Sequence, residues 1–432
     1  MKKLFKRIFM SVLFLIGVSV LSIAGMIFIF DLKYFKPQII NLLQKSLGHT
    51  VEIEGEMQLY FMPEFKIRIG KIKIHNSPEF TNFEFTEWEY AEISVKPRLI
   101  RPSKITIGSI VVKRLILNLS INQQNHANWD DWISHRSEDK SSTLLENVNS
   151  LFAWVDFDTV HVEQSEINFI NQRDDYTLKL SDLDFTVKGL GQGGKIPINW
   201  TATIQHTPSA FHQNLEFSAQ LTLDGVEKSL HLEQFNFLAK DIPQVSLKAN
   251  SIDYRAAPEY LAISNLEISS GPLSVQSTLA SVLSEQGFVL QGHVSLSEFN
   301  PKQLMGYWLT DLPLLQDDSV LTHLAAELDL SISKERLQLA PIKLTLDDSS
   351  IEGVMELGAS QQKLALELDQ LNLDRYASAN RAGSDQPLSG STSETLLGAL
   401  EQFIHTPIDG RLKVKKLIVN HVEMQDIVLD FR

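Results

Sequence analysis

The chain contains no cysteine among its 432 residues. Disulfide bonds, thiolate zinc sites, iron–sulfur clusters and a cysteine nucleophile are therefore excluded. The sequence also lacks a G-x-S-x-G elbow and a phosphate-binding loop, so nucleophilic and phosphoryl-transfer chemistry have no support from motifs. We expect a protein that is not an enzyme, uses no cofactor and is stabilised by apolar burial and backbone pairing.

Recognisable metal-binding patterns are also missing. The 12 histidines are scattered and form neither an H-x-H nor an H-E-x-x-H arrangement. Four acidic pairs occur without the twelve-residue loop that a calcium site of the EF-hand type requires, so we interpret them as turn and loop carboxylates and expect no metal site. The pairs are Asp130-Asp131, Asp174-Asp175, Asp317-Asp318 and Asp347-Asp348.

One glycine-rich stretch, Gly189 to Gly194, matches G-x-G-x-x-G. A dinucleotide site needs a helix directly after this motif, because the helix N-terminus holds the pyrophosphate. The next residues are Lys195, Ile196 and Pro197, which favour an extended segment. We therefore predict a hairpin loop here.

Positive charge is scarce, since the formal net charge is −14. Nucleic acids and polybasic-type membrane-surface sites require concentrated positive charge. We accordingly expect no nucleic-acid partner.

Long uncharged runs are limited to one, from Ile8 to Phe30. As a helix rising ~1.5 Å per residue, this stretch can cross a ~30 Å hydrocarbon core. Lys2, Lys3, Lys6 and Arg7 precede it, which predicts a cytoplasmic segment 1–7 and a single-pass anchor 8–30. The rest of the chain would then lie outside the cytoplasm.

A cleaved signal peptide is the alternative interpretation of this N-terminus. Ser22-Ile23-Ala24 offers a small-x-small cleavage site. Signal peptides normally have an apolar core of ~7–15 residues, whereas apolar residues here continue to Phe30. The length favours an uncleaved anchor.

Residues 31–48 predict a short amphipathic helix, with Pro37 suited to a first turn and Gly48 to a C-terminal cap. Beyond it, apolar residues recur at every second position, as at Ile67/Ile69 and Leu364/Leu366. Such alternation predicts half-buried strands, and short connections imply antiparallel neighbours. We expect a mainly β fold: a long antiparallel β-meander curled into an elongated groove, with a few short helices.

The apolar face of such a sheet must be covered. A second sheet, closure into a barrel, or a curled sheet filled by apolar ligands would each cover it. Taken alone, such stripes favour a packed core. The number of strands, the lack of a regular set of helices and the anchor strengthen the alternative of a lipid-filled groove. The candidate lining residues are Ile107, Val112, Leu117, Phe169, Phe185, Phe217, Leu223, Phe237, Leu344 and Leu366.

The groove domain is predicted over residues 49–377. Short helices are expected around Leu144–Trp154 and within Pro301–Leu315. Residues 378–395 are rich in Ser, Gly and Ala and predict a flexible linker. Residues 396–432 look like the start of a helix-plus-strands section that is cut short.

Five local motifs follow one another along the chain. They are a segment near the N-terminus, a loop with an Asn-Trp pair, a hairpin region, a strand–turn–strand unit before the linker, and the opening of a C-terminal section. The residues concerned are Phe35-Lys36-Pro37 with Ile53-Glu54-Gly55, Asn125 to Asp131, Val160 to Gly189, Leu346 to Gly353 with Leu371 to Asp374, and Ile408-Asp409-Gly410. Taken in this order, the motifs resemble the AsmA family of inner-membrane-anchored periplasmic proteins.

The resemblance implies a location in the cell inner membrane with the bulk of the chain in the periplasm. It also implies a β-rich groove that binds or conducts phospholipids and a role in outer-membrane assembly and lipid homeostasis. The expected partners are phospholipids, the inner membrane and outer-membrane assembly proteins. An interaction scaffold with a dry β-sandwich core and no lipid remains the alternative. Trp129 and Trp132 could cap the groove or contact headgroups, but we favour a structural role in which they anchor a loop.

Overall fold

The computed structural model describes most of the chain after residue 35. The described residues are 36–60, 65–80, 83–96, 105–130, 155–190, 194–209, 211–224, 227–256, 259–284, 287–307, 315, 317–358, 362–376 and 408–431. The predicted anchor 8–30, the helix around Leu144–Trp154, Trp132 and the linker 378–395 lie outside them. No helix among the described residues is both long and apolar enough to cross a membrane.

The chain divides into two compact units, and each is treated separately below. Unit 1 contains helix α1 (Lys36–Leu47) and the first nine strands. Its strands are β1 Val51–Ile53, β2 Met57–Tyr60, β3 Phe65–Ile69, β4 Ile72–Ile74, β5 Thr86–Trp88, β6 Tyr90–Lys96, β7 Ile105–Lys113, β8 Ile116–Ile121 and β9 Val155–Asn171. Strand β10 (Tyr176–Leu190) begins in unit 1 and ends in unit 2.

Two ladders of strands run side by side in unit 1. Ladder A is β1–β4–β5–β8 and ladder B is β2–β3–β6–β7, and neighbours within each ladder pair antiparallel. Both end on β9, where β7 pairs with Val155–Glu163 and β8 with Glu166–Asn171, in each case parallel. The ladders therefore share one long strand.

A crease separates the two ladders. On the β1–β4 side, Gly55 and Gly70 approach so closely that a Cβ on Gly55 would lie 2.5 Å from Gly70 Cα. Further along, Arg114 and Gln164 adopt φ values of 51° and 49°. Irregular backbone of this kind bends and twists a strand locally, and it marks the boundary that we call the crease.

Unit 2 contains the remaining strands and two short helices. The strands are β11 Ile196–Thr207, β12 Phe211–Asp224, β13 Ser229–Ala239, β14 Val245–Ala256, β15 Glu259–Ser270, β16 Leu273–Ser284, β17 Gly287–Phe299, β18 Leu324–Ser333, β19 Arg336–Leu346, β20 Ser349–Gly358, β21 Gln362–Asn372, β22 Ile408–Val419 and β23 Val422–Phe431. Helix α2 spans Pro301–Met305 with Asn300 as N-cap, and α3 spans Leu373–Tyr376. Each of strands β12 to β21 pairs antiparallel with the next, so together they form an antiparallel meander.

The expectation of a wholly antiparallel meander is wrong at the two parallel junctions. One is β9 on β7 and β8, and the other is β22 on β21. The expected β class is confirmed: the fold is mainly β, in a long mixed sheet that is not closed, with few short helices. The curl of the sheet into an elongated groove stays a prediction. A parallel neighbour needs a crossover connection, and the long segments before β9 and β22 supply it.

Many strands are also longer than their alternation indicates. Leu230/Leu232 and Phe235/Phe237 look like two strands, yet all four residues belong to β13. Gln234 between them has a φ of 53°, and this local bulge lets the apolar alternation slip by one residue. A left-handed residue therefore keeps both halves of the strand on one apolar face.

We predict that Gly55→Ala weakens the crease of unit 1. A methyl group there would overlap the Gly70 backbone, and overpacking of this kind costs about 1–3 kcal/mol. Hydrogen exchange should therefore speed up in residues 51–60 and 65–74. The control is Gly306→Ala, whose Cβ would meet its nearest neighbour at an ordinary 3.4 Å and whose φ is −61°. Equal exchange in both variants would contradict the close approach.

Candidate functional site

One face of the unit 2 sheet is apolar from strand to strand. The register places Leu328 of β18 beside Val294 of β17 and Ile342 of β19. The row next to it runs from Leu296 through Ala326, Leu344, Ile351 and Leu368 to Val414. We call this surface the apolar face of unit 2.

The opposite face is charged and polar. Lys343 pairs in register with Glu327 and Glu352, and the row continues through Glu367 to Lys413. The Lys413 and Lys415 ammonium groups lie 3.3 and 3.2 Å from the Glu367 carboxylate. This surface is suited to water, so the two faces differ sharply in chemistry.

Most large side chains on the apolar face are only half-buried. Ile332 and Leu429 on this face are 38% and 51% exposed. In unit 2 the described residues include one sheet and two helices of five and four residues, so they contain no second layer that could cover it. Full burial is confined to scattered positions such as Ile342, Leu368 and Val414.

An aromatic patch lies on the same face at β11–β13. The Trp200 ring stacks on Phe217 with centroids 5.6 Å apart and reaches Phe237 at 6.2 Å. Phe217 also contacts Phe235 edge to face at 5.5 Å. Contacts of this geometry add to the stability of cross-strand pairs, so the patch stiffens this part of the face.

The predicted lining residues of unit 2 lie on strands as expected. Register places four of them on the apolar face: Phe217 pairs with Phe237, Leu344 lies beside Ala326 and Ile351, and Leu366 lies beside Gly353 and Leu412. Leu223 pairs with Leu230. Phe185 is half-buried in β10. Their role in binding lipid stays a prediction.

The predicted residues of unit 1 fall into two environments. Ile107 and Val112 lie in ladder B, opposite Val95 and Ala91. Leu117 lies in ladder A and packs against a dry core made of Val51, Ile53, Ile72, Ile74 and Phe85. Phe169 contacts the Trp129 ring at 6.2 Å and Tyr176 at 5.9 Å. Leu117 therefore already has a protein partner.

Helix α1 explains why ladder A is dry. Its side chains Ile39, Ile40 and Leu43 pack on the core together with Trp129. The core residues Val51, Ile53, Ile72 and Ile74 are at most 3% exposed. Trp129 therefore anchors its loop, as the sequence indicates.

Asn128, the first residue of the Asn-Trp pair, has a structural role that the sequence alone did not predict. It is 2% exposed, its Oδ1 accepts a hydrogen bond from Ser120 N at 2.9 Å, and its Nδ2 donates to Asn118 O at 2.8 Å and to Asn76 Oδ1 at 3.1 Å. A buried amide needs such partners. Its position beside Trp129 was the available signal.

A polar clamp closes one end of the unit 2 sheet. The Asp347 carboxylate accepts hydrogen bonds from the amides of Leu321, Thr322 and His323 at 2.7, 2.9 and 3.2 Å. Tyr376 Oη of α3 donates to it at 2.7 Å. The Arg375 guanidinium reaches Asp317 at 2.7 Å and also pairs with Asp348. The clamp thus ties α3 and residues 317–323 to the β19–β20 turn.

The clamp shifts the acidity of Asp347. Burial alone would raise the pKa of its carboxyl, but the Tyr376 hydroxyl and the three backbone amides outweigh burial and lower that pKa. Burial and the Asp347 charge together raise the pKa of the Tyr376 hydroxyl. The Asp347 carboxylate therefore stays charged and accepts these hydrogen bonds, so its role is structural. Among the described residues no cluster of His, Asp and Glu could hold a metal ion.

We predict that acid loosens the clamp. Because the pKa of Asp347 lies lower in the folded chain than its ordinary 3.8, its contribution to stability is complete above that value and is lost as the pH falls below it. Asp347→Asn should therefore weaken exchange protection at residues 320–323 near neutral pH, and the difference from the parent should shrink as the pH falls through this range. Asp329→Asn, at a carboxylate 57% exposed, is the control and should leave these residues unchanged. A difference that grows on acidification would contradict the sign.

Sequence comparison places the chain in a family. The model of the AsmA family matches residues 1–393. No curated protein and no solved structure shows significant similarity to the chain. Proteins of the family are generally associated with the cell envelope and with lipid-related roles. Since the match covers most of the sequence, the chain belongs to the AsmA family.

Proposed function

We propose that this protein is a non-enzymatic envelope protein that binds phospholipid acyl chains on the apolar face of unit 2 and conducts them along it. It would be held in the inner membrane by residues 8–30, with the bulk of the chain in the periplasm. In this role it supports outer-membrane assembly and lipid homeostasis. Its partners are phospholipids, the inner membrane and, through assembly, proteins of the outer membrane.

The observation that carries the proposal is an apolar face with no covering layer among the described residues of unit 2. Soluble proteins rarely expose large contiguous apolar surfaces without a binding role. The opposite face is charged, so the sheet has one side for water and one for hydrocarbon. An acyl chain is apolar, like that side of the sheet, and in its extended form it can lie along the surface.

The energetics suit a conduit. Each buried CH₂ gains ~0.8 kcal/mol on leaving water, whether it enters protein or bilayer. The free energy of moving an acyl chain between protein and bilayer is therefore close to zero, so neither of them retains the lipid. Headgroups would stay at the hydrated edge, because burying their charge is costly.

A second candidate is an interaction scaffold that recruits a partner strand. Strand β23 pairs with β22 and has no other strand partner among the described residues. Val428 and Leu429 in it are each 51% exposed. An extended peptide could add to this edge. The dry sandwich core of this alternative would require a second layer, which the described part of unit 2 lacks.

We predict that lipid contacts are confined to one face of β19. Leu344 lies on the apolar face between Ala326 and Ile351, whereas its neighbour Thr345 is exposed on the other face beside Ser350. A photo-crosslinking residue at position 344 of the full chain in membranes should give phospholipid adducts by mass spectrometry. Position 345 is the matched control and should give several-fold fewer. Equal labelling at positions 344 and 345 would contradict lipid binding on one face only.

A charge on the apolar face should release lipid. Leu344→Asp places a carboxylate where acyl chains would lie, and a charge in hydrocarbon is strongly unfavourable. We expect less phospholipid to co-purify with the full-length protein, measured by extraction and quantified per mole of protein. Thr345→Asp carries the same charge on the hydrated face and should retain lipid. Parent protein that folds without any bound lipid would favour the scaffold instead.

A further inference from the structure

Ladder B of unit 1 has an inverted burial pattern. On its polar face Ser94 is 0% exposed and Glu92 is 9% exposed. On its apolar face, the intervening residues Ile93 and Val95 remain only half-buried. Folding normally buries the apolar side of a sheet more deeply than the polar side. Among the described residues, ladder B therefore has little cover on its apolar side.

The polar side is covered by its own side chains. Lys66 and Arg68 lie 3.1 and 2.9 Å from the Glu92 carboxylate. The Arg68 guanidinium also lies 4.7 Å from the centre of the Tyr90 ring. Ser94 and Ser109 share a hydrogen bond of 2.9 Å between their hydroxyls. These contacts bury Glu92 and Ser94, so the polar side needs no other partner.

The apolar side presents a row of aliphatic residues in register. Ile67 of β3, Ile93 of β6, Ile110 of β7 and Val160 of β9 are consecutive neighbours. Val112 lies in the adjacent row between Ala91 and Val162. All are half-buried, and Phe65 at the end of β3 is 43% exposed. The surface is several strands wide and carries no charge.

Ladder A gives the contrast within the same unit. There α1 and Trp129 seal the equivalent apolar side, and its central residues are at most 3% exposed. The covered core extends to Ile69 of β3, next to the crease, where Lys36 Nζ of α1 lies 3.5 Å from Gly55 O. Beyond Ile69, the apolar residues Ile67, Ile93 and Ile110 of ladder B are only half-buried.

The position of Lys36 also indicates which apolar partner can reach the apolar face of ladder B. The predicted bilayer-spanning stretch ends at Phe30, and only residues 31–35 separate it from α1. Even fully extended, those residues span at most about 18 Å. The first turn of α1 lies at the crease beside ladder B, so bilayer lipid is the nearest abundant apolar partner.

We infer that the apolar face of ladder B, around Ile93, Ile110 and Val112, is the entry port at which acyl chains leave the bilayer, while ladder A is closed to lipid. The inference rests on the proposed function and specifies where it begins. It removes the predicted lining residue Leu117 from the lipid path, because Leu117 packs against the ladder A core, as does Leu119. It retains Ile107 and Val112.

The test uses the full chain in nanodiscs of phosphatidylethanolamine and phosphatidylglycerol. A photo-crosslinking residue is placed at Val112 on the apolar face, or at Lys113 on the opposite face of the same strand, where it pairs with Tyr90. Position 112 should give phospholipid adducts several-fold above position 113. Position 119 in the sealed ladder should give only background.

A second test uses single cysteine substitutions, which disturb the fold less than a bulky photo-crosslinking residue. Since the chain has no native cysteine, Ile93→Cys and Ile74→Cys each introduce a single thiol. Ile74 is 3% exposed in ladder A. A maleimide carried on an acyl chain should label Cys at position 93 and leave position 74 unlabelled.

The possible failures are distinguishable. Lipid adducts at Leu344 with background at Val112 would overturn the entry port and leave the proposed function standing. Adducts from Val112 to residues 131–154, or to a second copy of the chain, would show that protein covers ladder B and would also overturn it. Phospholipid adducts at background level at both Val112 and Leu344 would overturn the proposed function itself.

Discussion

Backbone pairing with a two-residue period is the constraint on which this protein depends. Each strand must place alternate side chains on opposite faces, so a chain with aliphatic residues at every second position makes a sheet with one apolar face. The chain has no cysteines, and its described residues contain no large helical layer, so hydrogen bonding between neighbouring strands holds that sheet together. In this described part, few protein groups pack on the apolar face.

Bulges maintain this face over long strands. At Gln164 and Gln234 the backbone enters the left-handed region, and the apolar alternation resumes one residue later on the same side. Without such slips a one-residue offset would move half of each strand's aliphatic residues to the charged face. The bulges also bend the strands. Irregular backbone here preserves the chemistry of the surface.

Protein cover is distributed unevenly. Helix α1 and Trp129 close ladder A, and the Asp347 clamp orders one end of unit 2. Within each unit taken by itself, most apolar side chains of ladder B and of the unit 2 face are only half-buried. Half-buried apolar surfaces fit the proposed reversible binding of hydrocarbon, since a fully packed core would exclude it.

The sequence by itself determined the β class, the AsmA family and the apolar identity of Phe217, Leu344 and Leu366, because alternation and local motifs are properties of short segments. Only the tertiary structure decided that Leu117 packs in a closed core while Val112 does not, and that β9 and β22 pair parallel to their neighbours. Both residues show the same alternation. Their difference arises from α1, Trp129 and the crease, which bring together residues distant in the chain, and no local pattern encodes such contacts.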